Sequence, residues 1–274
     1  MSNFEKMLPH STVRLVGLVN GNAASTGTGF YYFFNDTFTN ELGETNSNGS
    51  ARIGIVTNKH VLEGMQEIIF FFNSAEEDEV SYHADSLRIV LNEETVINHP
   101  EDDVDLCVIL AHSIIGRLDE SNKKLHIYPV RKNIQVDGDK LKSMNTIQNL
   151  LMIGYPNGIW DSVNNLPMLR RGINATPLYE NYMGKEEFAM DIATYRGSSG
   201  SPIFIYDNGC YIENNEAKFG SRIIFVGILK GLHRRVQQHE QGLETEEMLH
   251  IGIAIKASKL DVFDDLIRRH YEGE

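Results

Sequence analysis

Apolar residues along this chain fall in short runs bounded by Gly, Asn, Asp and Pro, and few of the runs carry a helical period. In the first part these are Thr12–Val19, Gly29–Phe34, Ile53–Thr57, Ile68–Phe72 and Arg88–Leu91. In the second they are Leu150–Gly154, Phe188–Asp191, Pro202–Tyr206, Ile223–Ile228 and Ile251–Ile255. Their length and their β-branched and aromatic content predict strands. Many short strands with polar connections predict an all-β protein built of barrels or a sandwich. Asn35–Ser50, rich in Asn, Thr and Gly, and His233–Glu247, rich in Gln, Glu and His, are expected to be exposed loops. The acidic and lysine-rich stretch Leu118–Ser143 is expected to link two halves, with a midpoint near Thr146. One segment departs from the strand pattern. Within Lys256–Tyr271, Leu260, Phe263, Leu266 and Ile267 recur at helical spacing among charged residues, which predicts an amphipathic C-terminal helix packed on a barrel.

Composition narrows the class. With 274 residues and 41% apolar content the chain has enough apolar mass for a packed core. A formal charge of −13 sets it against sequence-independent binding to nucleic acid or to an anionic membrane, since both need a basic face. The first residues lack the apolar run of a secretory signal, and no segment approaches a spanning length, so the expected location is the cytoplasm. Only Cys107 and Cys210 are present, one in each half, and Cys107 lies in an apolar strand pattern as a buried thiol would. No disulfide between them is expected, which agrees with a reducing compartment. The ten histidines show no His-x-x-x-His spacing, and there is no Cys-x-x-Cys, so neither a metal nor an organic cofactor is expected.

The candidate chemistry centres on Gly197-Ser198-Ser199-Gly200-Ser201-Pro202. Gly-x-Ser-Gly-x-Pro is a turn that can present a nucleophilic serine, which makes Ser199 the candidate and leaves Ser198 and Ser201 at the wrong positions. Upstream stand His60, in Ile55-Val56-Thr57-Asn58-Lys59-His60-Val61, and Asp105, which directly precedes the apolar run Leu106–Leu110. Taken singly, each has a bland account: a turn serine, a strand-end histidine, one acid in Glu101-Asp102-Asp103-Val104-Asp105. Taken together they stand in the order His, Asp, Ser that a nucleophilic triad can use. Asp103 is the second choice for the acid.

At these residues the chain resembles the chymotrypsin-like serine peptidases, and within them the signal-free bacterial trypsin-like domains related to the HtrA-type proteases. Thr26-Gly27-Thr28-Gly29-Phe30, Asp191-Ile192-Ala193-Thr194-Tyr195-Arg196, Val226-Gly227-Ile228 and Gly252-Ile253-Ala254-Ile255 extend the likeness over most of the chain. The resemblance implies one peptidase domain over residues 1–274, with two antiparallel six-stranded β-barrels and a C-terminal helix. Residues 1–130 would form the barrel carrying His60 and Asp105, and 131–274 the barrel carrying Ser199 and the helix. It further implies an oxyanion hole from the N–H groups of Gly197 and Ser199, and a primary pocket at Ala193, Thr194 and Lys230. An uncharged Ala193 at the pocket base argues against Lys or Arg at the cleavage site; apolar or small side chains are the first expectation, with room for an acidic one beside Thr194 and Lys230. Ser198 stands where digestive relatives carry an aspartate that captures a new N-terminus. Control then falls to loop rearrangement, expression or an activating protein partner. The expected function is a cytoplasmic serine endopeptidase acting on protein or peptide through an acyl-enzyme, in processing or in a stress or defence response. The alternative is a latent or non-catalytic module that keeps the fold to bind a peptide or protein partner.

Overall fold

The computed structural model describes residues 4–34, 52–76, 79–111, 124–213, 216–238 and 244–272. The first half is one curled antiparallel sheet of eight strands: β1 (Thr12–Val19), β2 (Asn22–Phe34), β3 (Arg52–Thr57), β4 (Glu67–Glu76), β5 (Glu79–Val90), β6 (Val96–Asn98), β7 (Cys107–Leu110) and β8 (Lys124–Leu125). Seven run in the order β5-β4-β1-β2-β3-β7-β6, and β8 pairs with β4. The second half closes into a six-stranded barrel, β10-β11-β14-β13-β12-β9. Its strands are β9 (Asn149–Gly154), β10 (Met168–Asn174), β11 (Glu187–Asp191), β12 (Pro202–Glu213), β13 (Glu216–Gln238) and β14 (Glu244–Lys256).

The period of two explains why the central strands read as unbroken apolar runs. Along β2, Phe30, Tyr32 and Phe34 pack into a core shared by both halves, whereas the intervening Tyr31 packs into the first half's own core. In β12 and β13, Phe204, Phe225 and Ile228 join the shared core, and Ile203, Ile205, Ile224 and Val226 line the barrel interior. The shared core is aromatic. The Phe225 ring lies 5.4 Å from Phe30, 5.6 Å from Phe204 and 6.2 Å from Tyr32. The C-terminal helix, Val262–Glu272, caps this layer with Phe263 and Ile267 buried and Leu266 packed against it. Leu260 is buried too, in a 3-10 turn (Ala257–Leu260) that precedes the helix, so the helix starts later than its apolar spacing suggested.

Two expectations change. His233–Glu247 is largely a strand ribbon: β13 continues to Gln238 and β14 starts at Glu244, with Arg234 opposite Met248 and Gln238 opposite Glu244. The ladder is made by backbone groups and does not need the apolar alternation whose absence suggested a loop. The stretch 118–143 does more than link, since Lys124–Leu125 adds β8 to the first sheet and Gly138–Ser143 is a helix whose Asp137 carboxylate accepts the Lys140 N–H. Asn35–Ser50 lies outside the described residues. Strand β10 escaped the pattern because Arg170-Arg171 interrupts its apolar content, although burial along it does alternate.

Removing the Phe263 ring should leave a cavity under the helix. Phe263→Ala is expected to destabilise the protein by about 3–5 kcal/mol in urea unfolding, and a loss below ~1 kcal/mol would show that the helix adds little to the shared core. A pH effect follows from the buried His99 and the half-buried His10. Burial lowers the affinity of His99 for a proton, and burial together with nearby His126 does the same for His10. His99 Nδ1 also accepts the Glu101 N–H at 3.1 Å, a bond the imidazolium would lose. The unfolded chain therefore takes up more protons as pH falls below the ordinary histidine value of 6.5, and stability should drop there. Thermal unfolding across this range should show the drop, with a shallower slope in His99→Gln; a flat profile in wild type would contradict it.

Candidate active site

His60 is placed by a short helical turn, Lys59–Leu62, that follows β3 directly. Asp105 sits just before β7, and β3 and β7 are paired, with Thr57 opposite Cys107. That register brings the two side chains together although 45 positions separate them. The Asp105 carboxylate takes two bonds from one residue: Oδ1 accepts the His60 backbone N–H at 3.0 Å, and Oδ2 lies 2.5 Å from His60 Nδ1. A carboxylate acceptor assigns the proton to Nδ1, leaving Nε2 as the basic nitrogen. The backbone of Asp105 is fixed as well, because the buried Asn58 donates its Nδ2 to the Asp105 carbonyl at 2.7 Å. Asp103 is elsewhere. It pairs with Lys185 at 3.2 Å, and that hydrogen bond and charge hold its carboxyl below the usual value.

Ser199 comes from the other half, in the turn between β11 and β12. Gly197 (φ +83°) and Gly200 (φ +88°) both occupy the left-handed region. At Gly200 a side chain is excluded twice over, since a Cβ there would stand 2.0 Å from the Thr28 carbonyl oxygen. Ser198 and Ser201 are fully buried, whereas Ser199 is half-buried. Ser199 and His60 line the same cavity of about 400 Å³ between the halves, together with Gly197, Thr194 and Lys230.

The carbonyl groups of this turn are all engaged. Arg196 C=O accepts the Asn157 N–H at 2.5 Å, Gly197 C=O the Thr28 hydroxyl at 2.9 Å, Ser198 C=O the Ser201 N–H at 3.0 Å, and Ser199 C=O the Thr28 N–H at 2.9 Å. In a trans peptide the C=O and the following N–H point in opposite directions. The Arg196 and Ser198 carbonyls thus turn the Gly197 and Ser199 N–H groups the other way, and among the described residues neither N–H has a protein acceptor.

Of the predicted pocket residues, Thr194 is buried with its hydroxyl bonded to Ile192 C=O at 2.6 Å. Lys230 is neutralised by Glu187 at 2.8 Å. Ala193 does not line the cavity; it is exposed and its carbonyl accepts Arg170 Nη1 at 2.7 Å. Among the described residues no carboxylate lines this cavity, while a second one of about 580 Å³ that also touches His60 is bordered by Glu63, Glu93, Asp102 and Asp105. Sequence reasoning passed over Asn58, Asn157 and Thr28. For Thr28 a signal existed in the flanking Gly27 and Gly29, which mark close backbone approach; for the other two there was none.

Many solved structures align with the chain, among them three at low identity over most of its length. An inactive form of Rv3671c from M. tuberculosis H37Rv is 13% identical (TM-score 0.46), with 96% of this chain and 89% of that one covered. The serine endoprotease from Yersinia pestis is 16% identical (TM-score 0.49), covering 98% and 67%. A mutant of the Tobacco Etch Virus protease is 11% identical (TM-score 0.46), covering 94% and 78%. No curated protein matches the chain. The family model described as "Trypsin-like peptidase domain" matches residues 27–212, which include His60, Asp105 and Ser199, and over that span the chain belongs to the trypsin-like peptidase family.

Proposed function

We propose that this chain is a serine endopeptidase in which Ser199 attacks the peptide carbonyl, His60 moves the proton and Asp105 orients His60. The observation that carries the reading is the two-pronged grip of Asp105 on His60, with His60 and Ser199 facing one cavity. In the first step a bond forms from Ser199 Oγ to the carbonyl carbon while the hydroxyl proton passes to His60 Nε2. The negative charge that develops on the carbonyl oxygen is met by the N–H groups of Gly197 and Ser199, each worth on the order of 3 kcal/mol in the transition state. The C–N bond then breaks and His60 returns its proton to the departing amine. Water repeats the sequence on the acyl-enzyme, with His60 as base and then acid, and the product acid leaves. Asp105 stabilises the imidazolium in both steps.

A latent or purely binding module is the competing reading. The engaged carbonyls of Arg196 and Ser198 favour the enzyme, because a latent turn would aim a carbonyl, not an N–H, at the substrate oxygen. A reducing compartment is the proposed setting, supported by two unpaired cysteines, one of them buried. Substrates are proposed to present an apolar, small or acidic side chain to the cavity beside Ser199. Arg196 lines it and, among the described residues, no carboxylate does, so a bound Lys or Arg would lack a free counter-charge.

A fluorophosphonate probe should label the wild-type protein at Ser199. Labelling should vanish in Ser199→Ala and fall steeply in His60→Ala, with kcat/KM reduced on the order of 10⁴-fold or more in each. A folded wild type that resists the probe would instead identify a latent or binding module. In a fluorogenic peptide library, sequences with Lys or Arg before the scissile bond should be cleaved at least ~10-fold more slowly than those with Ala, Val or Glu; the reverse order would refute the proposed specificity.

A further inference from the structure

Thr28 lies on β2, in the half opposite the nucleophile turn, and is fully buried. All of its polar groups are used at the junction of the halves. Its N–H donates to Ser199 C=O at 2.9 Å, and its C=O accepts the hydroxyl of Thr57, three residues before His60, at 2.8 Å. Its own hydroxyl donates to Gly197 C=O at 2.9 Å and accepts the Tyr155 N–H at 3.0 Å. The hydroxyl has one proton, and because the Tyr155 N–H occupies a lone pair, that proton is committed to Gly197.

We propose that Thr28 is a positioning residue whose hydroxyl keeps the nucleophile turn in its oxyanion-binding conformation. The inference rests on the peptidase reading and adds a residue that never touches the substrate. Thr28 holds the Gly197 and Ser199 carbonyls directly. It also holds Tyr155, the start of the Tyr155–Gly158 turn, whose Asn157 N–H fixes the Arg196 carbonyl. Gly197 has its back to that same turn, since a Cβ on it would stand 2.7 Å from the Tyr155 oxygen and 3.2 Å from the Asn157 nitrogen. Only the Ser198 carbonyl is held from within the nucleophile turn itself, by Ser201. Without the hydroxyl, Gly197 C=O and Tyr155 N–H are left buried and unpaired, and each can regain a partner only by rotating its peptide. Rotation of the Gly197–Ser198 and Gly154–Tyr155 peptides would move the residues on either side of the bond from the Asn157 N–H to the Arg196 carbonyl and loosen it, and with it the orientation of the Gly197 N–H. The oxyanion site is therefore a property of the docked halves and not of the Gly-Ser turn alone.

The test compares wild type, Thr28→Ser and Thr28→Val, which keeps the shape and loses the hydroxyl. With a fluorogenic peptide, Thr28→Val should lower kcat about 10- to 100-fold, up to the scale of losing one oxyanion donor, with KM changed less than ~3-fold. Affinity for a peptide boronic acid, which mimics the tetrahedral state, should fall in proportion to kcat. Thr28→Ser should restore both to within ~3-fold of wild type, which a purely structural effect of lost volume would not do. If Thr28→Val does not fold, Thr28→Cys carries the same test, its weak S–H donor placing kcat below that of Thr28→Ser; equal kcat in the two would then overturn the positioning role. Equal kcat in Thr28→Val and wild type, with or without a rise in KM, overturns the positioning role while leaving the peptidase reading intact. Absence of fluorophosphonate labelling in wild type overturns both.

Discussion

The carbonyl groups of Arg196, Gly197, Ser198 and Ser199 all accept hydrogen bonds, three of them from residues outside the turn that holds Ser199. That constraint sets what the cleft can do. A backbone turn with two left-handed glycines has several conformations of similar energy, and the donors placed around it select one. Because the selecting donors belong to β2 and to the turn after β9, the site's geometry depends on the packing of the two halves. Their shared aromatic core around Phe225 supplies it. The glycines belong to the same constraint, since Gly154 and Gly200 lie too close to Thr28 and Ser201 for any side chain.

A second tie runs through the acidic loop before Asp105. Glu101 and Asp103 belong to the first half, yet they pair with Lys259 at 3.0 Å and Lys185 at 3.2 Å, both from the second. Solvent screens exposed pairs of this kind, so they orient more than they stabilise. What they orient is the segment that carries Asp105, already fixed by Asn58. The same chemistry removes Lys230 as a free cation, because Glu187 on the neighbouring part of the barrel neutralises it and leaves Arg196 as the exposed positive group of the cavity. Among the described residues, the two cavities that meet at His60 thus differ in their lining, one with carboxylates and one without.

Much of this was legible beforehand, for reasons that can be stated locally. Strands such as Thr12–Val19 and Ile53–Thr57 announce themselves because they are buried on both faces, and the C-terminal helix because its apolar spacing matches one helical face. His60 and Asp105 were singled out by their order with Ser199 and their places beside apolar runs, and those runs are the paired strands β3 and β7. The ribbon of β13 and β14 was missed because its strands are joined by backbone bonds that leave no mark on side-chain pattern. Asn58 and Asn157 were missed because an asparagine in a connection is ordinary until its partner is known.

The sequence by itself determined the strand and helix periods, the residue types that chemistry at the cleft requires, and the glycines without which the chain could not turn there. Tertiary structure decided which groups those residues would meet. Thr28 and Gly197 are 169 positions apart, and Lys230 and Glu187 are 43 apart. Neither partnership follows from any local pattern, since hydrogen bonds and ion pairs act over a few ångströms of space while periodicity reports only on neighbours along the chain.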